Sequence, residues 1–221
     1  MGDLTTGKTW ASGEVDTATK RNQQVDDSVL AAAAITGKTA ETALVGTADY
    51  ALVYDASATA LRKALLRDLL PAGAVLQTVY STEYTSSSNL STLIPLDNTV
   101  PTSSEGDQIL SASITLSSTS SKVLCRFSGF GGRGSDAQVV IAAMFRGATC
   151  VNVVAAYQTS AATMLVPLVM DVLDAPSSIS ALTYTVRVGG SSAAIALNAN
   201  TSTAYFGGAA RATLVLQEIK V

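Results

Sequence analysis

The sequence contains no histidine, and charged residues make up 14% of it, against about 25% in an ordinary globular protein. Histidine is the most common general base and metal ligand, so its absence excludes a Ser-His-Asp triad and most zinc sites. The formal net charge is −3, and the Lys and Arg residues are dispersed, whereas nucleic-acid binding needs clustered positive charge. We therefore predict a non-enzymatic protein without a cofactor, a metal or a nucleic-acid partner.

Long hydrophobic runs are also missing. The densest apolar run extends from Val139 to Phe145, far short of the roughly 20 residues that span a bilayer. The N-terminus lacks the apolar stretch of a secretory signal. These two absences predict a protein that is made in a cytoplasm and does not insert into a membrane.

Cysteine is scarce, and both copies lie in apolar, strand-like runs. Cys125 and Cys150 are best interpreted as buried thiols that pack as small hydrophobic groups. A disulfide is the alternative, because a sequence does not give the distance between two Cα atoms. With no histidine nearby, two isolated cysteines do not make a tetrahedral zinc site.

Period-two alternation of apolar and small polar residues dominates the chain after about residue 75. Ile109 to Leu116 and Ala181 to Val188 show the pattern of half-buried strands. Turn segments rich in Ser, Thr and Gly separate such runs, which favours an antiparallel β-sandwich of the jelly-roll type. The predicted strands are 75–82, 90–96, 108–117, 122–130, 137–146, 149–156, 163–173, 180–188, 192–198 and 211–220.

Two of these strands are apolar on both faces, namely 137–146 and 163–173. The outward face of an antiparallel sandwich is normally polar. We therefore expect a further layer over these strands, and a neighbouring subunit is the simplest candidate.

The remaining sequence divides into two shorter regions. Residues 1–46 predict an extended, partly helical arm, with a helix in the stretch from Glu14 to Ile35. Residues 47–71 predict a strand–turn–helix connector, whose helix runs from Leu61 to Leu70 and ends at Pro71. Residues 72–221 then form the sandwich domain.

Several segments, taken in order, carry a resemblance to a known class of proteins. They are a Ser/Thr-rich hairpin around Ser81 to Ile94, the stretch from Ser113 to Leu124, a Gly-rich loop followed by Val139 to Gly147, the stretch from Asp174 to Val188, and Ala212 to Ile219. This part of the chain resembles the β-sandwich tip domain of tailed-bacteriophage fibre and structural proteins. The segment from Ala48 to Lys63 is similar to a connector common in phage fibre proteins.

The resemblance implies a virion component that is usually trimeric. Its N-terminal arm would dock on a capsid, tail or baseplate protein, and its sandwich would point outward to bind host-surface glycans or proteins. The chain has no long shaft, so a capsid decoration, cement or head-fibre protein that reinforces the shell is the alternative.

Two loops are the candidate receptor-contact sites. The first, from Gly129 to Asp136, carries Phe130, Arg133 and Asp136, and the second carries Tyr205 and Phe206. Binding residues concentrate on loops held by rigid scaffolds, and aromatic rings stack on sugar rings. The structural alternatives are an ordinary hairpin connection for the first loop and core or subunit-interface packing for the aromatic side chains.

Two further motifs are interpreted as structural. The stretch from Gly2 to Thr9 matches a P-loop pattern, but no buried strand precedes it to deliver the loop to a phosphate. The carboxylate pairs Glu105 with Asp107 and Asp171 with Asp174 have the composition of a glycosidase site. They lie in turn-like or strand-end settings, where acidic residues cap turns.

Overall fold

The chain forms two compact units, Met1–Asp49 and Tyr50–Val221. The computed structural model describes residues 4–5, 29–30, 48–85, 87–132, 137–159, 165–199 and 203–221. The predicted boundary near residue 71 stays a prediction.

In the first unit the described residues form a short antiparallel pair. Strand β1 (Leu4–Thr5) pairs with β2 (Val29–Leu30), with Leu4 opposite Leu30. The predicted helix is wrong at Val29 and Leu30, which are in a strand. The rest of that helix lies outside the described residues, and so does the P-loop-like stretch apart from Leu4 and Thr5.

The second unit is built from antiparallel strands, which confirms the prediction of a mainly β fold. Its strands are β3 (Tyr50–Asp55), β4 (Ala60–Leu65), β5 (Val75–Tyr80), β6 (Ser87–Leu90), β7 (Asp107–Thr115), β8 (Lys122–Gly132), β9 (Gln138–Arg146), β10 (Thr149–Gln158), β11 (Val166–Asp174), β12 (Ala181–Gly190), β13 (Ile195–Leu197) and β14 (Thr213–Ile219). Two short 3-10 helices lie at Leu66–Leu69 and Tyr205–Gly208.

The sandwich consists of two sheets with jelly-roll connectivity. One sheet has the order β10-β9-β12-β7, and the other has the order β5-β14-β8. Strand β11 pairs with the second edge of β8, since Ser128 lies opposite both Thr213 and Val169. When the short strands β6 and β13, which extend the second sheet beside β8, are left out, the eight remaining strands counted from β5 have the orders 2-7-4-5 and 1-8-3-6. This is the two-Greek-key arrangement of a jelly roll.

The hydrophobic core lies between these two sheets. It is made of side chains at alternate positions of the facing strands, as the period-two pattern predicts. Among the fully buried ones are Ile114, Phe127, Met144, Leu168, Val186 and Leu214.

The outer face of β9 is covered from within the chain. Ile141, Ala143 and Phe145 point away from the main core and form a second buried cluster with Ile94, which is 1% exposed. The segment of Ile94 lies close over the sheet: its N–H donates to the carbonyl of Gly190 at 3.1 Å. The prediction of a neighbouring subunit over this strand is wrong, because the loop between β6 and β7 supplies the cover.

Glycine makes this close approach possible. A Cβ added to Gly106, whose φ is +68°, would lie 2.8 Å from Cδ1 of Ile94, and one added to Gly189 would lie 2.5 Å from the carbonyl oxygen of Thr92. Side chains at either position would push the loop off the sheet.

The connector is a β-hairpin instead of a strand and a helix. Strand β3 pairs with β4 along its whole length, from Tyr50 opposite Leu65 to Asp55 opposite Ala60. The helix predicted from Leu61 to Leu70 is therefore wrong, apart from the single 3-10 turn at Leu66–Leu69. In the hairpin, the two strands pair their backbone groups and side chains with each other. A lone helix with one apolar stripe would need a packing partner to cover that stripe.

Lys220 ties the end of the connector to the base of the sandwich. Its Nζ donates to the carbonyl oxygens of Arg67 at 3.1 Å and Asp68 at 3.0 Å, and also to that of Leu70. Arg67 in turn donates to the carbonyl of Ser117 at 2.8 Å. We call this end of the sandwich, where the hairpin joins it, the base.

The hairpin predicted around Ser81 to Ile94 is also wrong. Strand β5 pairs with β14, and β6 pairs with β13, so the two do not pair with one another. This exchange of partners is what the jelly-roll connectivity requires.

Candidate functional site

The described residues of both predicted loops lie at the end of the sandwich opposite the connector, where Gly129 to Gly132 continue strand β8 instead of forming a loop. Along β8, Val123 at the base pairs with Asp174 and Glu218, while Gly131 at the far end pairs with Val166. Phe130 precedes Gly131, and the 3-10 turn of Tyr205 and Phe206 comes shortly before β14 begins. Arg133 and Asp136 lie outside the described residues.

Asn198 joins the two loops. Its N–H donates to the carbonyl of Phe130 at 2.8 Å, and its Oδ1 accepts from the N–H of Phe130 at 3.2 Å. Its carbonyl oxygen accepts from the N–H of Tyr205 at 3.0 Å, and its Nδ2 donates to the carbonyl of Tyr84 at 3.3 Å. One asparagine, 1% exposed, therefore connects the tip end of β8 to the turn of Tyr205 and Phe206.

The backbone of Asn198 is left-handed, with φ 52°. Asparagine adopts this conformation more readily than other residues with side chains, glycine excepted. Sequence reasoning did not identify Asn198, because a single asparagine just after a short strand gives no signal of its distant partners.

Phe206 presents its ring to solvent from a strained backbone. The residue has φ 52° and ψ 37° and is 77% exposed. A bulky residue in the left-handed region is a genuine outlier, and such outliers cluster at functional sites. The N–H of Ala209 donates to its carbonyl at 3.1 Å, and its ring centroid lies 6.4 Å from that of Tyr205.

Polar side chains border this aromatic surface. Arg211 Nε lies 3.2 Å from Glu83 Oε2, and the Arg211 guanidinium lies beside Gly208. Phe130 is 43% exposed on the outer face of its sheet. We define the tip surface as Phe130, Tyr205, Phe206, Arg211 and Glu83, which combines aromatic rings with planar charged groups.

We expect the variant Asn198→Gly to loosen the tip surface. Glycine keeps the left-handed backbone but removes the side-chain hydrogen bonds to Phe130 and Tyr84, which should lower the free energy of unfolding by about 1–2 kcal/mol. Urea unfolding measures this loss, and limited proteolysis should show faster cleavage between residues 203 and 211. Unchanged stability together with unchanged cleavage would contradict this role of Asn198.

The four candidate carboxylates each have structural partners. Glu105 accepts from the N–H of Thr102 at 2.7 Å, and Asp107 accepts from the hydroxyl of Thr92 at 2.6 Å. Asp171 pairs with Arg126 at 3.0 Å. Asp174 accepts hydrogen bonds from Arg146 and, at 2.6 Å, from the hydroxyl of Tyr184. These contacts fit the interpretation of the carboxylates as structural groups.

Cys125 and Cys150 are free thiols, which fits the first interpretation of the sequence and not the disulfide. Cys125 is fully buried in the core, and burial raises its pKa to about 12. Cys150 is half-buried beside the cluster that covers β9.

Within the described ranges, no group of three or more His, Cys, Asp or Glu residues could hold a metal ion. No helix in the described part of the chain is long and apolar enough to cross a membrane.

No family model and no curated protein matches this sequence. A solved structure of latent PorU from Porphyromonas gingivalis is similar at a TM-score of 0.36 and 10% identity, covering 77% of this chain and 18% of that one. The structure of infectious bursal disease virus strain Gx has a TM-score of 0.31 and 12% identity, covering 76% and 43%. The VP2 subviral particle of the same virus has a TM-score of 0.27 and 12% identity, covering 66% and 40%. The chain spans less than half the length of each of these proteins.

Proposed function

We propose that this chain is a non-enzymatic bacteriophage virion protein, a homotrimeric fibre or spike that displays its sandwich for attachment to host-surface glycans. Its N-terminal region, residues 1–46, docks on a capsid, tail or baseplate protein of the particle. The proposal joins the resemblance of residues 48–221 to phage fibre proteins with the geometry of the sandwich.

One observation carries the attachment role: Asn198 connects Phe130 to the turn of Tyr205 and Phe206 at the end opposite the connector. A chain held at its connector presents this end outward. The tip surface offers exposed rings for the apolar faces of sugars, while Arg211 and Glu83 offer a donor and an acceptor for hydroxyl groups. Rigid loops lose little conformational entropy on binding, which favours affinity.

The strain at Phe206 supports the same assignment. An exposed ring on a left-handed backbone adds nothing to the core and costs about 1 kcal/mol or more in strain. The hydrogen bond from the N–H of Ala209 to the carbonyl of Phe206 holds this conformation. The conformation keeps the ring exposed, as contact with a ligand requires.

The test is binding of the full chain to an array of bacterial lipopolysaccharides and capsular polysaccharides. The variant Phe206→Asn removes the ring but tolerates the left-handed backbone, so we expect at least tenfold weaker binding with an unchanged melting temperature. Tyr157→Ala is the matched control, because Tyr157 is an aromatic residue 64% exposed on the other sheet.

Two results would overturn the attachment role. One is the absence of binding to any polysaccharide while the protein still attaches to phage particles, which would favour the decoration role. The other is unchanged binding in Phe206→Asn, which would place the contact elsewhere.

A further inference from the structure

The hairpin of β3 and β4 exposes one large apolar face. Tyr50, Leu52 and Tyr54 alternate along β3 and are 54%, 67% and 63% exposed. The register places them opposite Leu65, Lys63 and Leu61, so these six side chains share one face of the hairpin. Leu61 is 67% exposed. Scattered apolar residues on a surface are ordinary, but a contiguous set of this kind marks an interaction site.

The hairpin is too small to be stable by itself. A two-stranded sheet is marginal in water, and three or more strands or a packing partner are needed. Among the described residues no strand pairs with the second edge of β3, and its sequence from Tyr50 to Tyr54 has no charge to protect it. Hairpins from further copies would supply the packing partner and would pair with the free edge of β3.

The charge on this face suits an identical partner. Its one charged group, Lys63, places Nζ 4.5 Å from the centre of the Tyr50 ring, so it folds along its own hairpin. The ion pair of Asp55 with Arg62, at 3.2 Å, lies on the opposite face. An apolar face without a free charge matches a second copy of itself better than a strongly charged partner.

The available area fits association between copies. Aromatic side chains bury about 150–250 Å² each. The four side chains of this face that are more than half exposed therefore offer roughly 400–500 Å² per copy; they are Tyr50, Leu52, Tyr54 and Leu61. Leu69 and Leu70, which follow the hairpin, are 51% and 43% exposed and extend the surface. The sum approaches the roughly 800 Å² per partner of a standard interface.

We propose that copies of this chain associate through the hairpin face, defined as Tyr50, Leu52, Tyr54, Leu61 and Leu65. This inference rests on the proposed homo-oligomer and names the surface that forms it. It assigns oligomerisation to the base of the sandwich, at the end away from the tip surface.

The test is the native mass of the full chain, measured by light scattering and sedimentation over a range of concentrations. We expect Leu52→Glu to weaken association at least tenfold, because the carboxylate would be buried in an apolar contact. Leu61→Glu, on the other strand of the same face, should have the same effect. Val100→Glu is the control in the loop before β7, where Val100 is 73% exposed, and should leave the mass unchanged.

The outcomes separate this inference from the proposed function. A wild-type mass near three times 22.6 kDa that persists in Leu52→Glu and Leu61→Glu would overturn the hairpin face and leave the homotrimer standing. A wild-type monomer at every concentration would overturn both. All variants should keep the wild-type far-UV circular dichroism spectrum, since the substituted side chains lie outside the core.

Discussion

Replacing Ile94 with alanine should lower the free energy of unfolding by about 3 kcal/mol. The isoleucine side chain is 1% exposed and packs against Ile141, Ala143 and Phe145, the outer face of β9. Its removal leaves a cavity over the strand, and the loop around it is held by hydrogen bonds to Gly190 and Gly106. Urea denaturation of the wild type and the variant measures the difference.

Leu96→Ala is the matched control for this experiment. Leu96 lies in the same loop but is 63% exposed, so its truncation should change stability by less than about 0.5 kcal/mol. If Ile94→Ala were as mild as Leu96→Ala, the loop would not be the cover of β9, and a neighbouring subunit would again be the candidate.

Glu218→Ala should be comparably destabilising, by about 3 kcal/mol, because it removes a charged acceptor for several half-buried donors. Glu218 is fully buried on β14. One carboxylate oxygen accepts from the N–H of Ser117 at 2.9 Å and its hydroxyl at 2.7 Å, and the other accepts from Gln77 at 2.6 Å. The carboxylate thus links β5 and β14 to the segment that follows β7.

The same group predicts a pH dependence of stability. Burial acts to raise the pKa of Glu218, but hydrogen bonds from Gln77, Ser117 and Ser121 outweigh it and hold the pKa below the ordinary value of 4.5. A depressed folded-state pKa gives stability that is present above the unfolded-state pKa and lost as the pH falls through the folded-state value. The wild type should therefore lose stability below about pH 4.5.

Glu218→Gln isolates the charge. It should be less stable than the wild type at pH 7 and should show a smaller loss between about pH 5 and pH 3, because its amide does not titrate. Glu83→Gln is the control, since Glu83 is exposed in its ion pair with Arg211. Thermal unfolding across this pH range gives both slopes, and equal slopes for the wild type and Glu218→Gln would falsify the assignment.

The sandwich strands were predictable because alternation is a local property of the sequence. Strands such as β7 and β12 repeat apolar residues with period two, and the structure has them within one or two residues of the predicted bounds. The sheet order was not predictable, because partners such as β5 and β14 are far apart in the sequence. The prediction of what covers β9 was wrong for the same reason, because Ile94 lies more than forty residues before that strand in the sequence.

The connector shows where a local pattern has two solutions. Leu61, Leu65, Leu66 and Leu69 fall on one face of a helix, but the residues from 60 to 65 also suit a strand when a partner is available. The turn decides between them, since Asp55 Oδ1 accepts from the N–H of Ser57 at 3.0 Å and of Ala58 at 3.1 Å. This Asx-type turn directs the chain back along β3.

The candidate site was predicted in part. The aromatic and Gly-rich composition identified Phe130, Tyr205 and Phe206, because loops of that kind are visible in a sequence. Their junction at Asn198 was not visible, since its hydrogen bonds join residues 68 positions apart. The left-handed backbone conformation of Asn198 is likewise visible only in the folded chain.

The pairing of the first sandwich strand with the last has a mechanical consequence. Strand β5 leaves the base, where the hairpin joins, and runs toward the tip with its hydrogen bonds directed sideways to β14. A pull between the hairpin and the tip loops acts parallel to β5. The load is then a shear on the whole ladder, in which several bonds must break together, instead of opening them one at a time. The strand order thus makes the domain resist tension along its long axis.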